Sequence, residues 1–390
     1  MLRGVSTATL ALGLLLLIFA CGPGPAPPPP AALAATRAAP TSTPPPPPRP
    51  TAAPPALSPL SSPVASPRAA AVATPRTSPR VRVGLLGALP DSGLLIAIQL
   101  GFLAEQGLDL QVERFSSQAS MVSGLIVGQV DVAALMINAD LFNLLGRGAG
   151  LRIVAEASGA PPGHGAGGLI VRPDLVGRLK TPTDLRGFHI ALSAQGDSLE
   201  VELAQLLKQG WLARTDVERV IVPVADLGPA LAAGELDAVM AAEPLLSKLE
   251  QAGYGTIWRR SDTVIPNHLT AALMLNGRFH ASQSEAARRL ATGYLKALRL
   301  YNDAFVKRSG AQRAELVQIL SQMTTVDEPS RLERMVMPGI NPNGMVNIQT
   351  LRLDQQYFLS AGLQQKEIDL AALVEPQYVA FAITQLGEYR

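Results

Sequence analysis

From residue 81 onward, short apolar runs alternate with longer amphipathic stretches in regular order. Residues 81–86 read as a strand, residues 92–106 as an almost wholly apolar helix with Gln99 and Gln106 one heptad apart, and residues 108–115 as a second strand. The same pattern predicts a helix over 117–127, a strand over 130–136, a helix over 139–145 and a strand over 151–157. A second series occupies about residues 169–257, with a strand over 188–192 and a helix over 199–207. Near its start, Thr181, Pro182, Thr183 and Asp184 combine a capping hydroxyl, Pro at the first helical position and a carboxylate at the third, before Gly187 ends the turn. Strands and helices of these lengths in alternation imply parallel sheets with helices on their faces.

The two series share a signature. Leu125, Gly128, Val130 and Asp131 recur as Leu231, Gly234, Leu236 and Asp237, each Gly standing where a helix needs a left-handed exit before the next strand. The matched spacing suggests two similar lobes. The C-terminal third is helical. Ser282 with Glu285 reads as a capping box, and Ala287, Ala291, Tyr294, Leu298, Tyr301 and Phe305 then lie on one face of a long helix. Further helices are predicted over 312–322, 328–337 and 350–361, their apolar stripes covering one lobe.

Composition matters most before residue 81. Arg3 precedes the apolar run 10–20, eleven residues that suit a secretory signal and are too few to span a bilayer as a mature helix. Residues 22–80 hold 20 of the 33 prolines and show no periodicity, which reads as a stiff, partly polyproline II spacer. At about 3 Å per residue its contour approaches about 180 Å, enough to lift a folded part off a lipid surface or through a wall layer. The first 80 residues carry six Arg and no acid, so residues 81–390 hold 27 basic and 31 acidic side chains, a net of −4. That balance argues against a nucleic-acid partner, which selects for a basic face. The single cysteine, Cys21, excludes a disulfide scaffold and a thiolate cluster.

Catalytic and metal motifs are absent from the sequence. His164, His189, His268 and His280 are mutually distant, with no helical metal pair. There is no nucleophile elbow and no phosphate loop. Gly163, Gly165 and Gly168 match the dinucleotide spacing, yet Pro161 and Pro162 precede them and Leu169, Ile170 and Val171 after them read as a strand, so this stretch is taken as a mobile loop between lobes. No metal, cofactor or catalytic residue is expected. What remains is a polar feature where strands give way to helices: Asp91 and Ser92, Ser116 and Ser117, Asn138, then Ser193, Gly196, Asp197 and Ser198. In open parallel sheets ligands bind beyond the carboxyl ends of the strands, where helix N-termini expose N–H groups, although such residues are also ordinary helix caps. Hydroxyls at helix N-termini suit an anion such as a sulfonate. Asp91, Asp197 and Glu243, if they face the same cleft, would repel it and favour a neutral or amine-bearing compound. Phe115, Phe142, Trp211, Tyr254 and Trp258 are stacking candidates among 17 aromatics, most of which belong to the core.

The order of residues resembles a known family. Gly101, Phe102, Leu103, Glu105, Gly107, Leu108 and Leu110 are the first group; Gly128, Val130, Asp131 and Val132 the second. Asp184, Leu185, Gly187, Ile190 and Ala191 follow, then Leu231, Gly234, Asp237, Ala238, Glu243 and Pro244. Together they are similar to the substrate-binding lipoproteins of bacterial ABC importers, in the nitrate, sulfonate, taurine and thiamine-precursor group, over about residues 81–310. The resemblance implies a two-lobe α/β periplasmic-binding-protein fold of type II, each lobe a mostly parallel sheet flanked by helices. Two crossing strands join the lobes, and helices are added at the C-terminus. Residues 81–160 with 265–390 would form one lobe and its C-terminal helices, and 161–264 the other, with hinges at 158–168 and 265–270. It implies a monomer that traps a small molecule (sulfonate or taurine-like, pyrimidine or thiamine-precursor, or riboflavin-like) and presents it to a membrane permease. The pocket would draw on residues 89–92, Ser116, Ser117, Asn138 and residues 193–198. An enzyme on the same fold, of the thiamine-pyrimidine or menaquinone type, and a ligand-sensing receptor subunit are the alternatives.

Ile18, Phe19, Ala20 and Cys21 resemble a lipobox, with Phe19 a departure from its usual small or aliphatic residue. That places the chain, exported and acylated at Cys21, on the outer face of the cytoplasmic membrane or in the periplasm. Two acyl chains anchor far more firmly than one. Cys21→Ser is therefore expected to move the protein from the membrane to the soluble fraction; a mutant that still sediments with lipid refutes the anchor.

Overall fold

The computed structural model describes residues 78–326 and 328–390; the signal segment, Cys21 and the tether up to residue 77 lie outside the described residues. Strands β1 (Arg80–Leu85), β2 (Asp109–Arg114), β3 (Val132–Met136) and β4 (Arg152–Ala160) come first in the chain. Then come β5 (Gly167–Val171), β6 (His189–Leu192), β7 (Glu218–Ile221), β8 (Ala238–Ala242) and β9 (Thr256–Arg260), and β10 (His268–Leu275) closes the series. Two five-stranded sheets result, ordered β2-β1-β3-β10-β4 and β7-β6-β8-β5-β9. In each, three strands pair in parallel and the fourth is antiparallel to both its neighbours. The sheets are mixed for a reason of chain path: β5 and β10 are the strands that have just entered from the other sheet.

The shared signature has a shared geometry. Gly128 and Gly234 both end helices in the left-handed region, at φ 80° and 79°. The aspartate three residues later pins the neighbouring strand in each lobe. Asp131 Oδ2 accepts the Arg82 N–H at 2.9 Å, and Asp237 Oδ2 accepts the His189 N–H at 2.9 Å. Their own N–H groups return bonds to the Arg82 and His189 carbonyls. A short side chain thus fixes the register between β1 and β3 in one lobe and between β6 and β8 in the other.

Several expected elements differ in detail. The apolar run 92–106 forms two helices, Ser92–Gln99 and Phe102–Glu105, because Gly101 between them turns left-handed at φ 73°. The Thr181 start yields only a 3₁₀ turn, Pro182–Leu185, with Asp184 Oδ2 accepting the Lys180 and Thr181 N–H groups. Ser282 does not cap the long helix Ser284–Tyr301; its hydroxyl bonds back to the Arg278 carbonyl and closes the preceding helix Gly277–Ser282. The six-residue stripe on the long helix is buried throughout. A final helix, Gln377–Leu386, has no counterpart in the sequence-based reading.

Alternation along the strands feeds two cores per sheet. Val81, Val83 and Leu85 pack with the helices Ser92–Gln99 and Ser284–Tyr301, whereas Ala133 and Leu135 face Phe142, Leu351 and Phe358 on the opposite side. In the second sheet Leu169 and Val171 belong to one core and Ile170 to the other.

The C-terminal segment does more than cover a lobe. Gly339 and Val374 form isolated bridges to Gly159 and Ile153 of β4, and the helix Ile348–Ser360 then packs on β10, on the helix Ala139–Gly146 and on the second-lobe helix Ser198–Gln209. At that junction His268, fully buried, sits between Glu202 at 3.1 Å and Asp354 at 2.9 Å. Desolvation works against the imidazolium, but the two carboxylates outweigh it and lift His268 to about 10; burial also raises Glu202 and Asp354. All three groups hold protons more tightly folded than unfolded. The contribution of His268 to stability is therefore complete below its unfolded pKa near 6.5 and is lost as pH rises toward 10, whereas that of the two acids is complete only below their own unfolded values, about 4, and is lost as pH rises above them. His268→Leu, which strands two buried carboxylates, is expected to cost about 3 kcal/mol at pH 7 and less at pH 5. Denaturant unfolding of both proteins between pH 5 and 10 checks this; an unchanged pH slope in the mutant removes the cluster as its source.

Candidate ligand site between the two sheets

The loops that follow the carboxyl ends of β3 and β6 adjoin one another. The two halves meet where the loops after β3 and β6 touch. Asn138 and Asp197 form an isolated antiparallel bridge, and the Ala139 N–H donates to the Gly196 carbonyl at 2.8 Å. Gly196 is required there on two grounds: its φ is 74°, and a Cβ would lie 3.0 Å from the Ala139 Cβ. Asn138 and Asp197 each cap the helix that follows, accepting the N–H groups of Leu141 and Glu200. Ser117 caps Gln118–Val127 through the Ser120 N–H. Three helix N-termini, those of Gln118–Val127, Ala139–Gly146 and Ser198–Gln209, thus stand at the facing strand ends.

The carboxylates distribute themselves differently. Asp91 is 1% exposed, and its Oδ2 accepts the N–H groups of Leu86, Gly87 and Ala88, so it organises the loop after β1 from beneath. Its Oδ1 is sealed without a partner, and desolvation lifts the carboxyl to about 6. Ser92 is equally buried, with its hydroxyl donating to the Leu89 carbonyl. Glu243 is buried and receives the Ser247 N–H and hydroxyl and Arg260, which anchors the start of Leu245–Gln251. Asp197 alone of the three acids stays partly open at the contact, and burial, helped by Glu202 and Glu200, raises it to about 6.

Ser116, Ser193 and Ser198 behave unlike these. Among the described residues their hydroxyls make no hydrogen bond; Ser116 follows β2, Ser193 follows β6 and Ser198 opens the helix Ser198–Gln209, and all three residues are exposed or half-buried. Asn138 also opens onto a groove of about 290 Å³ between the helices Gln118–Val127 and Ala139–Gly146, whose floor includes Gln118 and Ser123.

Two positioning residues were not singled out from sequence. Glu200, buried, accepts the Gly196 N–H at 2.7 Å with one oxygen and receives Arg219 and the Tyr357 hydroxyl on the other. Its spacing from Asp197 is that of a capping box, which is the signal that marks it. Gln118 exchanges two hydrogen bonds with the Met136 backbone and ties the helix start to the end of β3. The aromatic candidates serve packing. Phe142 stands edge-on to Phe358, Phe115 lies against Gly84 and Gly124, Tyr254 against Gly228 and Trp258 under Arg259, while Trp211 is 92% exposed. In the glycine-rich crossing Asp262 accepts the Gly163 N–H and Arg260 donates to the Gly165 carbonyl.

Comparison with known proteins fits this architecture. A family model described as NMT1/THI5 like matches residues 91–303. The nitrate import ATP-binding protein NrtC of Synechococcus elongatus is 26% identical over 253 residues, 62% of this chain; the match spans 37% of that protein's length. The periplasmic aliphatic sulphonate binding protein SsuA from Escherichia coli superposes with a TM-score of 0.62 at 20% identity, covering 76% of this chain and 97% of that one. The desulfurization enzyme DSZB superposes with a TM-score of 0.57 at 16% identity, covering 79% and 99%. At such identities the structural likeness establishes the fold, which is that of type II periplasmic binding proteins.

Proposed function

The chain belongs to the NMT1/THI5-like family, and from that premise we propose that it is the solute-binding component of an ABC importer, holding a small oxyanion-bearing compound between its lobes. One observation carries the choice of ligand: three hydroxyls without protein partners stand near helix N-termini, while Asp91 is buried beneath its own loop, bonded to three N–H groups, and Glu243 is buried and paired with Arg260. Helix N-termini and free hydroxyl donors recognise sulfonate or nitrate oxygens. The sulphonate protein among the structural neighbours and the nitrate-import relative agree with that class.

Ser116, Ser193 and Ser198 would donate to the anion, with Ser117, Asn138 and Gly196 shaping its seat. A ligand bridging the lobes favours the closed arrangement only by the difference between its open and closed affinities. The closed form would then engage a permease, with the protein acting as a monomer tethered through Cys21. An enzyme on this fold has less to draw on here: past Cys21 the chain holds no cysteine, and His268 is enclosed by two carboxylates.

Calorimetric titration with taurine, ethanesulfonate and nitrate tests the proposal. Tight binding of one of them, weakened at least tenfold by the double change Ser193→Ala and Ser198→Ala with little change in unfolding midpoint, is the expected result. Unchanged affinity in that variant removes this helix start from the site, and turnover of a bound compound favours the enzyme.

Asp197 supplies a second test. An anion beside it is better tolerated when the carboxyl is protonated, so affinity should rise as pH falls through about 6. Asp197→Asn, which keeps the cap, should flatten that dependence. A pH profile identical to that of the wild type would place the anion elsewhere.

A further inference from the structure

Between β4 and the C-terminal segment that bridges to its outer edge, beside both crossing segments, lies a cavity of about 480 Å³ that shares no residue with the cleft just described. Ala160 and Pro161 bound it from one crossing and Asn267 from the other, and the C-terminal stretch closes it. Glu156, 7% exposed, forms part of its wall. Its Oε1 accepts the Asn341 N–H at 2.8 Å. Its Oε2 has no protein partner and, unlike Asp91 Oδ1, is not sealed from solvent, so it opens on the cavity. No cationic side chain among the described residues pairs with Glu156, and burial lifts its carboxyl to about 7.

A carboxyl so far withdrawn from water calls for a cation or a full set of donors, and the fold supplies one N–H. The rest of the lining indicates what would complete it. Asn302, whose Nδ2 donates to the Tyr389 hydroxyl, keeps an amide oxygen without a protein partner, Asn341 Oδ1 already accepts the Asn343 N–H, and Val306, Ile340 and Val346 are apolar. A divalent metal seeks several charged oxygen ligands, and only one carboxylate is present. One negative charge, amide oxygens and aliphatic walls match an organic ammonium with a short apolar body, and the volume lies within the range of small-molecule sites.

We propose that this cavity is a second ligand site, separate from the interlobar cleft, that takes a small organic amine through a charge-assisted hydrogen bond to Glu156. The site touches both segments that join the lobes, so its occupant lies against the pivot of any lobe movement.

The test uses the full chain, with n-butylammonium as probe and n-butanol as its uncharged counterpart. Calorimetry is expected to show one amine bound per chain and no binding of the alcohol. Glu156→Gln, which keeps the acceptor for Asn341, should weaken the amine at least tenfold. Val306→Phe, which fills the cavity and leaves the carboxylate in place, should do the same. The double change Ser193→Ala and Ser198→Ala should bind the amine as the wild type does. The proposal is overturned by amine affinity that survives Glu156→Gln, by equal binding of butanol, by no heat at millimolar amine, or by loss of the amine in the serine variant.

Discussion

One imidazole with a carboxylate on either side holds three distant parts of the chain in a single arrangement. His268 opens β10, Glu202 lies in the first turns of Ser198–Gln209, and Asp354 belongs to Ile348–Ser360. None of the three is hydrated, so moving any one leaves charge without a partner in a medium that penalises it by several kcal/mol. The consequence reaches the cleft. Glu202 stands one helical turn from Ser198, and Glu200, two residues before it, holds the Gly196 N–H, so fixing the helix against β10 also fixes the loop that meets Asn138. The facing loops take their positions in part from a buried charge cluster where β10, Ser198–Gln209 and Ile348–Ser360 meet.

The same economy of means appears within each lobe. Asp131 and Asp237 do one job twice: each closes two hydrogen bonds with a parallel neighbour, β1 or β6, and so sets the register at which β3 or β8 begins. Because both sheets then have the same order, the ends of their parallel strands face one another across the crossing segments. The place where helix N-termini converge follows from that duplication and from the two crossings, before any particular ligand is considered.

Much of this was legible in the sequence because it depends on local signals. The alternating elements, the Gly128 and Gly234 helix exits and the buried stripe from Ala287 to Phe305 all arise from short-range periodicity. The capping residues Ser117, Asn138 and Asp197 were equally visible. What sequence did not reveal was which polar groups face inward. Asp91 and Ser198 look alike as helix-start residues, yet one bonds three N–H groups of its own loop and the other is left free, a distinction made by the path of the loop after β1. The His268 cluster was hidden for a related reason: its partners lie 66 and 86 residues away, and no spacing rule links them. The split at Gly101 shows the converse error, in which a continuous apolar run outweighed the one residue able to break it.

The distribution of strong and weak contacts bears on how lobes of this kind can move. Across the cleft they are joined by the Asn138–Asp197 bridge, in which the Ala139 N–H bonds to the Gly196 carbonyl and which is worth about 1 kcal/mol net, and beside it by the Tyr357 hydroxyl donating to the buried Glu200. Close to the crossing segments stand the ionic cluster and the hydrogen bond between Thr270 and Ser158. A rotation about that pivot displaces the far side most and the near side least, so it can part the weak contact while leaving the costly one nearly in place. A ligand shifts any balance between open and closed forms only by the difference between its affinities for the two, so the fewer costly contacts a rotation breaks, the smaller that difference needs to be. Had the charge cluster lain at the mouth of the cleft, opening would have had to break it, and no small solute could have supplied the difference.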